Sequence, residues 1–121
     1  MENNKANRKT TETEFEVLER SLIIHLNQEL DHHCALKLRE KSDKLIEKGN
    51  IKNVIFDFEG IGFMDSSGIG VIMGRYKRVI FTGGKVAVVG VGNSIDRILH
   101  LSGLYRIIHK YETVKDALKA L

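Results

Sequence analysis

The chain has 121 residues, 42% of them hydrophobic and 29% charged, and a formal net charge of +3. That length implies one domain with its own core, and the apolar and charged fractions exclude a disordered or fibrous chain. No apolar run is long enough to span a bilayer, no secretory leader is expected from the polar start, and a single Cys34 cannot close an intrachain disulfide; a cytoplasmic protein is the expectation.

Residues 1–13 are rich in Asn, Lys, Thr and Glu without apolar periodicity and are expected to form a flexible polar tail, leaving 14–121 as the domain. Phe15 and Val17, then Leu22, Ile23, Ile24 and Leu26, flank Glu19-Arg20-Ser21 and predict a first hairpin. A polar connection from Asn27 to His33 precedes a helix from about Cys34 to Lys48, whose apolar stripe is Ala35, Leu38, Leu45 and Ile46 and which Gly49-Asn50 closes. Val54 to Phe58 reads as a buried strand. After the central helix come a turn at Thr82-Gly83-Gly84, a strand from Lys85 to Val89, and a short helix capped by Ser94 and ended by Ser102-Gly103. A last short strand is expected at Ile107 and Ile108, then a terminal helix capped by Thr113. The order β-β-α-β-α-β-α-β-α predicts an α/β domain whose mixed, mostly parallel sheet of four to five strands begins with a hairpin and carries about four helices.

Phe63 to Arg78 joins a strand to a helix with apolar residues at Ile69, Ile72, Met73, Tyr76, Val79 and Ile80, the spacing of one buried stripe. Asp65 stands at the N-cap, where its side chain can accept from the amide of Ser67 or Gly68 and hold the serines at the positive end of a helix dipole. Counted at 100° per residue from Ile69, the opposite face presents Ser67, Gly70, Val71, Gly74 and Arg78. Each interior glycine costs a helix about 1 kcal/mol against alanine, so two of them on a solvated face need a reason. Either a neighbouring element of the same fold packs closely there, or the face is a docking surface with Val71 as an apolar contact and Arg75 and Arg78 at its rim.

Other chemistry is poorly supplied. Asp31-His32-His33-Cys34 has the residue types of a metal site, but adjacent side chains diverge and no second His/Cys cluster completes a ligand set; a polar loop capping the next helix, or a partner-facing loop, accounts for it. No metal or other cofactor is expected. A catalytic Ser66 or Ser67 would need a base among His25, His32, His33, His100 and His109, and the turn lacks the G-x-S-x-G elbow. Gly60-Ile61-Gly62 is neither a Walker loop nor a dinucleotide fingerprint. The scattered basic residues come with no nucleic-acid-binding motif. A hydroxyl at a helix N-terminus does suit phosphorylation, since the dipole and free amides accept the added charge; helix phase mildly favours Ser67 as the more outward hydroxyl, while Ser66 projects near the tip.

Phe63-Met64-Asp65-Ser66-Ser67-Gly68-Ile69-Gly70 with Gly74-Arg75-Tyr76-Lys77, preceded by Glu29-Leu30-Asp31-His32-His33 and followed by Leu101-Ser102-Gly103-Leu104, resembles the STAS-domain anti-sigma factor antagonists, in particular their sporulation, sigma-F branch. The resemblance runs from about Phe15 to the C-terminus and implies a non-enzymatic partner switch. In the family the unphosphorylated protein binds an anti-sigma factor that is also a serine kinase and frees the sigma factor; phosphorylation releases the antagonist and a serine phosphatase restores it. Carried over, the phosphorylated residue is Ser66, flanked by Asp65, Ser67 and Gly68. The partner-binding surface then takes in Asp31 with Gly70, Val71, Gly74, Arg75 and Arg78, and neither nucleic acid nor membrane is a direct partner. One departure is Asn27-Gln28 ahead of Glu29, where the family usually has glycine just before the Glu. A STAS module of a stress-response or transport system, and a small serine-dependent enzyme, are the alternatives.

Overall fold

Antiparallel β1 (Glu14–Leu18) and β2 (Ser21–His25) turn over Glu19 and Arg20, with Glu19 in the left-handed region at φ 56°. The computed structural model describes residues 13–121; the expected polar tail, Thr13 apart, lies outside the described residues. Onto β2 are added, all parallel, β3 (Asn53–Asp57), β4 (Val86–Val89) and β5 (His109–Tyr111), so the sheet order follows the chain order. Four helices intervene or follow: α1 (His32–Lys48), α2 (Ser66–Ile80), α3 (Asn93–Leu101) and α4 (Val114–Ala120), with a 3-10 turn over Leu104–Arg106. This is the single α/β domain expected, with five strands and four helices among the described residues.

Right-handed crossovers between strands laid down in one direction all fall on the same face of the sheet. Accordingly Leu22, Ile24, Val54, Phe56, Val86 and Val88 pack under α1, α2 and α3 in the main core. The alternate residues Ile23, Ile55, Ala87 and Val89 form a smaller core under Ala117 of α4. Because the strand order never reverses, no topological switch point opens a ligand crevice between the crossovers.

Three expectations shift. The third helix is capped by Gly92 without a side-chain bond, and Ser94 is its second residue. Ile107 and Ile108 are not the last strand: Ile107 ends the 3-10 turn, Ile108 is buried in the main core, and the edge strand is the polar run that follows. Asp31 takes the cap of α1, in keeping with a loop that caps the next helix, and the helix begins at His32, two residues before the expected Cys34.

Candidate functional site

Two loops leave neighbouring strands and meet again before two helices. Gln28 to Leu30 follows β2 and Glu59 to Met64 follows β3; Leu30 and Met64 then pair in a single parallel bridge, both side chains buried. Gly60 permits the approach, because a Cβ there would stand 2.7 Å from the Leu26 carbonyl oxygen. Immediately beyond the bridge each chain segment turns into a helix through an aspartate. Asp31 Oδ1 accepts from the Cys34 amide at 2.9 Å, and Asp65 Oδ1 from the Ser67 amide at 2.7 Å. The bridge therefore sets the N-terminal ends of α1 and α2 side by side, with Asp31, His32, His33, Asp65 and Ser66 all exposed.

The hydrogen bond donated by the Cys34 amide is the main reason the Asp31 carboxyl is held below its ordinary value. Burial pushes the Cys34 thiol up, which makes it a poorer nucleophile. No group of three or more His, Cys, Asp or Glu among the described residues is placed to hold a metal ion.

Ser66 is the first residue of α2 and exposed, whereas Ser67 is half-buried, the reverse of the order that helix phase favours. Gly68 is buried against Met64, whose Sδ would lie 2.6 Å from an added Cβ, so the first turn of α2 closes directly on the bridge residue. Along the outer face the two glycines differ from Gly68 in kind. A Cβ at Gly70 or Gly74 meets nothing within 4 Å, so no described element packs closely on either glycine and the intramolecular account of them fails.

The expected phase of α2 needs correction at two residues. Val71 is 1% exposed and belongs to the main core; Arg75 is 4% exposed. Gly68, Val71, Ile72, Arg75 and Val79 face inward, while Ile80 is partly exposed, so the buried stripe is rotated from the one that apolar residues alone define. Val71 turns inward as an apolar residue of the main core, and Arg75 does so where it meets Asp43 on α1. Asp43 Oδ1 lies 3.1 Å from Arg75 Nε and 3.2 Å from Arg78 Nε, close enough for ion pairing though out of line for hydrogen bonds. Arg78 Nη1 also donates to Glu47 at 2.9 Å. Burial draws the Arg75 pKa down and Asp43 opposes that. Arg75 is therefore a strut between the helices, and of the expected rim only Arg78 reaches solvent. Sequence reasoning also passed over Phe63 as a surface residue: it is 51% exposed, two residues before Asp65.

A mixed sheet with sequential strand order and a serine-headed helix beside a second capped helix defines a STAS fold. Residues 12–117 match the STAS domain family, and the chain belongs to it. Within that family it is similar to an anti-sigma F factor antagonist of Paenibacillus polymyxa, 39% identical over 100 residues, which are 83% of this chain and 86% of the relative. Among solved structures it resembles the anti-sigma factor antagonist SpoIIAA in its unphosphorylated form, with a TM-score of 0.73 and 26% identity over 89% of this chain and 96% of that one. The phosphorylated form of the Bacillus cell fate determinant SpoIIAA matches with a TM-score of 0.72 and 28% identity, covering 89% and 97%. Among the described residues no helix is long and apolar enough to cross a membrane.

Proposed function

We propose that the chain is an anti-sigma factor antagonist that works by partner switching. Unphosphorylated, it binds an anti-sigma factor with serine kinase activity and thereby frees a sigma factor, sigma-F by its similarity to the Paenibacillus polymyxa relative. The surface involved is the paired helix tips, with Asp31 and Ser66, and the outer face of α2 through Gly70, Gly74 and Arg78. The observation that carries this reading is the bare face itself: two glycines in a helix interior with open space above them, headed by an exposed serine. Such a face is costly to the free protein and useful to a partner whose backbone must approach closely.

Phosphorylation of Ser66 adds about −1.5 to −2 charges at the positive end of α2, where the dipole offsets part of the repulsion from Asp65. The fold then persists while the docking surface becomes more negative, and a serine phosphatase reverses the change. The protein acts as a kinase substrate and regulator in the cytoplasm and catalyses nothing itself. Incubation with a cognate anti-sigma kinase and ATP, followed by peptide mass spectrometry, tests this: one phosphate on Ser66 is expected, and none on Ser66→Ala. Phosphate at an unchanged level in Ser66→Ala places the switch elsewhere.

A further inference from the structure

His25 and Asp57 are the last residues of β2 and β3 and stand opposite one another in the register. The two loops that leave them converge at the Leu30–Met64 bridge, just ahead of Asp31 and Asp65. The site is thus held at both ends of a closed ring, by the bridge at one end and by the His25 side chain at the other. Nδ1 of that ring lies 2.8 Å from Asp57 Oδ2, and Nε2 lies 2.9 Å from Glu16 Oε1 on β1. Asp57 uses its second oxygen to accept from the Glu59 amide at 2.9 Å, fixing the start of the loop that ends at Ser66.

Ionised carboxylates only accept hydrogen bonds, so a ring bonded to two of them must donate from both nitrogens; a neutral imidazole has one N–H. A shared proton resides on the imidazole, a base about two units stronger than either carboxylate. The groups facing the ring reinforce the charge: Glu14 opposite it on β1 and Glu59 beyond Asp57 line the same cleft, and among the described residues no lysine or arginine does. Lys115 of α4 lines the adjoining cleft with Asp57 and Glu59.

We infer that His25 is held as the imidazolium at neutral pH and is the positioning residue that keeps the two loops of the Ser66 site in register. Burial alone lowers the pKa of the ring, and the bonds to Glu16 and Asp57 outweigh it, for a net rise. The stabilisation is therefore complete below the unfolded histidine value of about 6.5 and fades as pH rises through the folded midpoint. The site is tightest in mildly acidic to neutral solution and loosens in alkali.

Long-range 1H–15N spectra of the full chain decide the protonation state. At pH 7 both ring nitrogens of His25 are expected to carry protons, and the titration midpoint is expected to fall in Glu16→Gln; a neutral tautomer at pH 7, or a midpoint unmoved by Glu16→Gln, overturns the inference. Positioning is read separately from the amides of Cys34 and Ser67, the two capped positions. Their shifts are expected to follow the His25 midpoint, and to move with it in Glu16→Gln; amides that ignore the titration overturn the positioning role. The consequence for docking rests on the function proposed above: kinase binding is expected to weaken with the same midpoint. Failure to bind at any pH overturns that function and leaves the ring and amide results to stand by themselves.

Discussion

Replacing Gly70 by alanine separates a docking surface from a packing surface. Gly70 is in the interior of α2, is exposed, and is not among the glycines with positive φ. An added Cβ meets nothing within 4 Å, so the substitution brings only the gain in helix propensity, about 0.5–1 kcal/mol. Gly74 has the same open space, and the pair Gly70→Ala with Gly74→Ala is expected to gain about 1–2 kcal/mol. For a domain of this size that raises Tm by about 4 °C per kcal/mol, or some 4–8 °C in all. Circular dichroism melts measure the rise, and calorimetric titration with the anti-sigma kinase measures the cost. Gly70→Leu is expected to melt no lower than the parent protein and to bind at least about tenfold more weakly, a loss of about 1.4 kcal/mol. A fall in Tm for the alanine variants, or full affinity in Gly70→Leu, refutes the account of this face.

Ser66→Asp is expected to keep the parent far-ultraviolet spectrum and melt within about 0.5 kcal/mol of it, because the position is exposed and a negative charge suits the first turn of a helix. It is nevertheless expected to bind the kinase weakly; gross destabilisation contradicts a switch confined to the surface. Val71→Ala is expected to do the opposite, costing about 2 kcal/mol in chemical denaturation from lost burial while leaving affinity unchanged once the folded fraction is allowed for.

How far the chain could be read depended on whether a neighbour's identity mattered. The buried strands announced themselves, since Leu22 to Ile24, Val54 to Phe56 and Val86 to Val89 are apolar on both faces, as parallel strands covered on both sides must be. The caps at Asp65 and Thr113 follow from local chemistry and stand where their residue types indicate. The phase of α2 failed at Arg75 because periodicity counts arginine as a surface residue. Arg75 turns inward only because Asp43, 32 residues away, meets it across the helix pair. The i, i+4 acids Asp43 and Glu47 and the i, i+3 bases Arg75 and Arg78 do hint at matched faces, yet they pair only once α1 and α2 are known to be neighbours. The last strand was hidden for a different reason. Its residues His109 to Tyr111 lie at a sheet edge and are largely exposed, so they carry no apolar signature, while Ile107 and Ile108 beside them do. The convergence of two distant loops on the Leu30–Met64 bridge leaves no local trace at all.

The strand order β1-β2-β3-β4-β5 also bears on how the chain reaches this state. Each strand pairs with the strand formed just before it, so every new unit closes a loop no longer than one crossover and finds its template already in place. Loop-closure entropy is met in small instalments, and no strand must wait for a distant segment to be inserted between two others. Such a topology can grow from the N-terminal hairpin as the chain emerges from the ribosome, each βα unit docking on the last. With no proline anywhere in the sequence, no prolyl isomerisation delays that growth.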